Sequence, residues 1–318
     1  DSEFRENIAN GIGGTTARGG AIRHFNGAMT IERSSFIGNI AIADDAQSTV
    51  QSSGGAIDSS SSTLRISDSL FDTNSAEAGG AVRLSGATGG STLERSIFRG
   101  NAAAFGGMAI YATGPGGNPN PEIAIHNTLF FDNEQVVGST VGVLGASRIG
   151  LALRNNTFFD NRVGASGFAF LYTLDVIPIS VVSHNVVQTP IGGATCRTQS
   201  GIPVPTVVSE NIYAGGTCFE DDPTDQIETD LEFLQSLSVP IADDRMISVP
   251  VPLITSPVVD SGAPTASDAD PAACLEEDLL GGPRPLSDGG TVACDAGVFE
   301  GGLDQELFSD GFEGVPIR

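Results

Sequence analysis

Residues 53–74 read SGGAIDSSSSTLRISDSLFDTN. The glycine pair Gly54-Gly55 opens a short apolar run, Leu64-Arg65-Ile66 follows, and Phe71 and Asn74 close the unit. The same order returns at Gly79-Gly80-Ala81-Val82, Leu93, Phe98 and Asn101, and stands earlier at Gly19-Gly20-Ala21-Ile22, Met29, Ile31, Phe36 and Asn39. Phe-x-x-Asn recurs at Phe4/Asn7, Phe36/Asn39, Phe71/Asn74, Phe98/Asn101, Phe130/Asn133 and Phe158/Asn161. Ile31, Ile66, Leu93, Ile125 and Leu153 each stand five residues before one of those phenylalanines. The unit length varies because insertions fall at 43–53 and 113–121, where the composition is that of loops.

A unit of this size with three short apolar runs and dense Gly and Ser opposes helices and fits the coils of a parallel β-helix. A single coil cannot bury its own apolar residues, so stacking supplies the core and sets equivalent residues about 4.8 Å apart along the axis. Phe36, Phe71, Phe98, Phe130 and Phe158 are expected to form an inward stack. Asn39, Asn74, Asn101, Asn133 and Asn161 are expected to form an amide ladder at a turn. Ser34, Ser69, Ser96, Thr128 and Asn156 make a third, polar row. Arg33, Asp68 and Arg95 share one outward position and Arg23, Asp58 and Arg83 another. Alternation of sign avoids stacked like charges, and both rows read as surface ion pairs.

GGAI followed by FxxN resembles the repeats of chlamydial polymorphic outer-membrane proteins and related bacterial right-handed parallel β-helix proteins, over roughly Phe4 to Asn161. The resemblance implies an all-β, right-handed parallel β-helix, a solenoid. It says little about activity, because the glycines, Phe and Asn are structural.

The 318 residues carry 41 glycines, 40% hydrophobic side chains and a formal charge of −24, with no Lys at all. Such a surface repels nucleic acid and anionic lipid and suits secreted proteins. No apolar run is long enough to span a membrane as a helix. The chain begins inside a repeat, at Asp1-Ser2-Glu3-Phe4, so a signal peptide and earlier coils are expected to have been removed. An open N-terminal coil exposes strands through which copies could associate.

After Asn161 the repeat weakens without stopping. Ser166-Gly167-Phe168-Ala169 takes the glycine-pair position, and residues 181–187 (VVSHNVV) match 207–213 (VVSENIY) at a step of 26. Cys196, Cys218, Cys274 and Cys294 form an even set without a metal-type CxxC spacing, which favours disulfides in an oxidising compartment over zinc. Of three pairings, the sequential one, Cys196 to Cys218 and Cys274 to Cys294, is expected.

The expected organisation is a β-helix over 1–219, a capping module over 220–300 with its disulfide, and a tail over 301–318. Thr229 to Leu237 reads as a short helix. The residues SPVVDSGAP (256–264), Cys274, Gly282-Pro283-Arg284-Pro285 and CDAGVFE (294–300) are similar to the C-terminal choice-of-anchor region of bacterial secreted β-helix proteins. Leu279-Leu280-Gly281 departs from it, where a more polar stretch is usual. Residues 307–313 (LFSDGFE) resemble a tail found on many secreted proteins of Gram-negative bacteria. Both resemblances imply secretion or display at the cell surface of a Gram-negative bacterium, not a reaction.

Parallel β-helices also host polysaccharide lyases and glycoside hydrolases. The best row for such chemistry is Glu32, Ser67, Glu94, His126 and Arg154, one residue per coil. Glu94 and His126 would be neighbours at about 5 Å, and Glu32 and Glu94 would stand about 9–10 Å apart, near the upper end for an inverting carboxylate pair. Glu or His could act as base and Arg154 could neutralise a uronate. Against this stand the absence of Trp and Lys, the scarcity of Tyr (Tyr111, Tyr172, Tyr213) and the ordinary need of any β-helix for a polar outer face. Glu220-Asp221-Asp222 and Asp268 to Asp270 are candidate Ca²⁺ loops, though without an EF-hand or nonapeptide pattern. The three histidines read as structural or solvated, and no cofactor or resident metal is expected.

Three function classes follow from this. The preferred one is a noncatalytic, adhesin-like or scaffold protein outside the cell that presents a repeated face to a glycan, a surface protein or copies of itself. The others are a carbohydrate-active enzyme using Glu32, Glu94, His126 and Arg154, and a filament or envelope subunit joined end to end.

Overall fold

The structure is a computed structural model that describes residues 1–13, 15–44, 52–87, 89–115, 121–136, 141–164, 167–173, 179–188, 194–197, 205, 207–214, 218, 225–228, 231, 233–241, 245–253, 255–263, 266–270, 272–284 and 293–300. The described residues are all-β, and their strands wind as a parallel β-helix. One face is a nine-stranded sheet that begins with Ser2–Arg5, Ser34–Ile37 and Leu70–Asp72 and ends with Ile212–Ala214 and Gln226–Glu228. A second face stacks Ile8–Gly11, Ile40–Ala43, Ser75–Ala78 and the start of Ala102–Thr113. A third stacks Ile22–Glu32, Ile57–Ser67, Ser91–Glu94, Glu122–His126 and Gly150–Arg154. Since Gln226–Glu228 pairs in parallel with Ile212–Ala214, the first sheet continues past residue 219.

The expected columns are present. Phe4, Phe36, Phe71, Phe98, Phe130 and Phe158 stack with ring centroids 4.7, 4.8, 4.6, 5.1 and 4.7 Å apart, and the last five are fully buried. Offset by three residues runs the amide ladder. The backbone N–H and Nδ2 of Asn39 both donate to Asn74 Oδ1, and the same double contact links Asn74 to Asn101, Asn101 to Asn133 and Asn133 to Asn161. Each Nδ2 also reaches a carbonyl of the preceding coil, as Asn101 does to Phe71. A buried amide satisfied on both sides resists any slip of register, because one residue of slip would orphan a whole row. The polar row becomes a second ladder at its far end, where Asn156, Asn185 and Asn211 repeat the contact and Asp225 terminates it.

One corner is made by left-handed backbone at non-glycine residues in every coil. Arg33, Asp68, Arg95, Asn127, Asn155, His184 and Glu210 all have φ between 42° and 55°, and each stands three residues before a member of the aromatic column or its continuation at Val187 and Tyr213. Seven successive non-glycine residues in this conformation are held there by the ladders on either side. The second glycine of each pair is required for another reason. A Cβ on Gly80 would lie 2.2 Å from the Met108 carbonyl oxygen, so the coils could not approach.

Two expectations are corrected. Phe233–Ile241 is a strand, paired antiparallel with Arg245–Pro252, where a helix over Thr229 to Leu237 was expected; residues 229, 230 and 232 lie outside the described residues. The alternating run RMISVPVP offers a β partner, and pairing overrides a weak helical propensity. Asp58 is not a surface charge: its side chain is fully buried, 3.3 Å from Arg83 Nη1, with Ser53 and Ser60 hydroxyls donating to it.

The C-terminal module lies along the flank of the β-helix. Leu70, Ile97 and Leu129 immediately precede column phenylalanines and therefore point outward. They pack beneath Ile247, Val249 and Val251 of the hairpin and beneath Leu279, Val298 and Phe299. Further along, Val186 and Ile212 pack against Leu231, Val258 and Ala296. Leu279 is buried in this contact.

Candidate functional site at the covered corner

The register places Glu32, Ser67, Glu94, His126 and Arg154 in one row of the third face, continuing to Ser183 and Ser209. What the row can do is decided by residues 266–270 and 272–277, which cross it. Arg154 is buried and donates to four of their carbonyls, Ser267 at 2.9 Å, Asp268 at 3.1 Å, Asp270 at 2.8 Å and Ala273 at 2.8 Å. Burial lowers its pKa, with Asp268 and Asp270 opposing. A guanidinium held by four carbonyls is a fastener, with little left to offer a substrate carboxylate.

Beside it a cleft of about 270 Å³ is bounded by Glu94, Arg95, His126, Asp268, Glu276 and Glu277. His126 is mostly buried; desolvation first, and Arg154 second, push its pKa down to about 4 against the pull of Asp268. Its Nε2 finds no hydrogen-bond partner among the described residues. The imidazole is therefore neutral at neutral pH and a weak base. Glu94 is half exposed and 3.5 Å from Arg95 Nη2. Arg95 is turned to Asp68 at 2.8 Å, a hydrogen bond that raises its pKa. Glu32 is exposed at the other end of the row, outside this cleft.

The residues that follow the row were not singled out as a site by sequence, yet they form the seam on which the module docks. Arg95 is 3.8 Å from Glu277. Asn127 Nδ2 donates to the Glu277 carbonyl at 2.7 Å, and Asn155 Oδ1 accepts the Leu275 amide at 3.1 Å. His184 faces the Ala263 amide at 3.2 Å and Glu210 Oε2 at 2.5 Å through Nε2, and its carbonyl accepts the Gly297 amide at 2.7 Å. The signal that could have found them is the constant offset of three residues before the column, filled by a polar side chain in every coil. Within the module, fully buried Arg284 donates to the carbonyls of Asp295 and Gly297, and burial lowers its pKa. The Asp278 carboxylate gathers the amides of Leu280, Gly282 and Glu300, while desolvation raises its pKa.

Cys196–Cys218 and Cys274–Cys294 are disulfides, as the sequential pairing predicted. His184 lies within 4.8 Å of both sulfurs of the second, but joined sulfurs offer a metal no thiolate. Asp268 Oδ1 accepts the Glu276 amide and Asp270 Oδ1 the Ala272 amide, so both carboxylates serve their own loop. Glu220-Asp221-Asp222 lies outside the described residues, as does the 301–318 tail.

No helix among the described residues is long and apolar enough to cross a membrane. No family model matches the chain, and no curated protein matches it. Fold and site together define a parallel β-helix protein whose strongest polar row is partly sealed by its own C-terminal module.

Proposed function

We propose that this is a noncatalytic extracellular or cell-surface protein, adhesin-like or scaffold in kind, whose rigid flank presents a binding face to a glycan or surface protein. The observation that carries the reading is the commitment of Arg154 to four backbone carbonyls. It ties up the cation of the candidate row, and leaves a neutral imidazole beside Arg95 and the carboxylates of the cleft. Two disulfides, the acidic lysine-free composition and the resemblance to bacterial secreted β-helix proteins support a place outside the cell, at the surface of or released from a Gram-negative bacterium. A screen of glycans, polysaccharides and surface proteins that records binding and product formation together tests it. Binding without products is expected; turnover that disappears in Glu94→Gln would establish the enzymatic alternative instead.

Ile8, Ile12, Phe25 and Ile42 are exposed on the first coils and favour a second reading, in which another coil stacks there. Concentration-dependent mass by light scattering, abolished by Phe25→Ser with Ile12→Ser, is its signature.

A further inference from the structure

The same flank, at the edge of the first sheet away from the covered corner, holds a groove of about 500 Å³ between that sheet and the hairpin strand Arg245–Pro252. Register sets Asp72, Arg99, Phe131 and Phe159 in one outward row. Phe159 is buried against Phe233 at 4.8 Å. Phe131 is only half buried and lines the groove. The hairpin thus covers one aromatic ring of the row, while its neighbour packs against the same apolar cluster and keeps part of its surface on the groove.

The groove also presents Arg99, Arg162, Asp132 and Asp160. Arg162 Nη2 is 2.5 Å from Asp132 Oδ1, and Arg99 Nε donates to Asp72 Oδ1 at 3.1 Å. Cations and carboxylates thus stand in balance in the groove, two of each, inside a molecule of charge −24. A charged ligand gains little here: anions meet the surrounding negative surface, and the Asp132 carboxylate already faces Arg162. An extended peptide is disfavoured as well, since Pro250 on the groove wall has no N–H to add to a ladder. What fits is a neutral ligand with one apolar face and many hydroxyls.

We infer that this groove binds a neutral oligosaccharide, with the C–H face of a pyranose on Phe131 and hydroxyls bridging the Asp132/Arg162 pair, Arg99 and Asp160. This rests on the binding role proposed above and names its ligand class. Calorimetric titration of the intact protein with neutral gluco-, galacto-, manno- and xylo-oligosaccharides tests it, alongside Phe131→Leu, which keeps the apolar bulk, and Asp160→Asn, an exposed position. The expected result is binding of at least one series, weakened about tenfold by each substitution, with unchanged melting curves. No binding of any series at millimolar sugar overturns the groove. So does binding that both variants retain, an outcome that leaves the noncatalytic reading standing. Release of cleavage products would overturn that reading, while the two variants still report on the groove.

Discussion

Acidification should cost this protein stability through His126 in a defined window. Its folded-state pKa is near 4, below the ordinary value of about 6.5. A depressed histidine pKa means the unfolded chain takes up the proton first, so stability falls as pH drops from about 6.5 towards 4 and stops falling below that. Between pH 7.5 and 4.5 the linkage amounts to about 2.5 kcal/mol. Other groups titrate in the same range, and Asp278, whose pKa burial raises, acts in the opposite direction by favouring the folded state as it protonates. The difference between the wild type and His126→Gln removes those shared contributions. Urea unfolding of both proteins across pH 4.5–7.5 should show the wild type losing about 2.5 kcal/mol more than the variant. Curves that stay parallel within about 0.5 kcal/mol would refute the burial of a neutral imidazole beside Arg154.

Two further outcomes follow from the contacts. Arg154→Met leaves four carbonyls of residues 267–273 without their donor while relieving a desolvated charge, so a net loss of about 2–4 kcal/mol is expected; limited proteolysis should cut within 255–284 first, and unchanged protection would contradict the fastener role. Asn101→Ala breaks two bonds from Asn74, one to Phe71 and one to Asn133 in a fully buried ladder, for a loss on the order of 4 kcal/mol; a loss under about 1 kcal/mol by chemical denaturation would show that the ladder is not what fixes the register.

The coils were legible in the sequence because their causes are local and repeated. Phe71 and Asn74 stand three residues apart in their own coil whatever lies beyond it, and stacking them on Phe98 and Asn101 is the one arrangement that buries the rings and satisfies the amides together. The row Glu32, Glu94, His126, Arg154 followed from the same offsets. Its chemistry did not, since a position in a row says which residues are neighbours along the axis and nothing about what covers them.

That cover was settled by contacts more than a hundred residues apart in sequence, such as Arg154 to Ala273 and Asn127 to Glu277, which no period announces. A trace did exist: Leu70-Phe71, Ile97-Phe98 and Leu129-Phe130 put apolar side chains on both faces of one sheet, which a strand facing water does not need. Composition and spacing thus determined the winding and the core, and narrowed the disulfides to three pairings. Only the tertiary structure decided that the C-terminal module lies along the flank, seals Arg154 and leaves Phe131 half buried at a groove, because burial and desolvation belong to the assembled surface and not to any single coil.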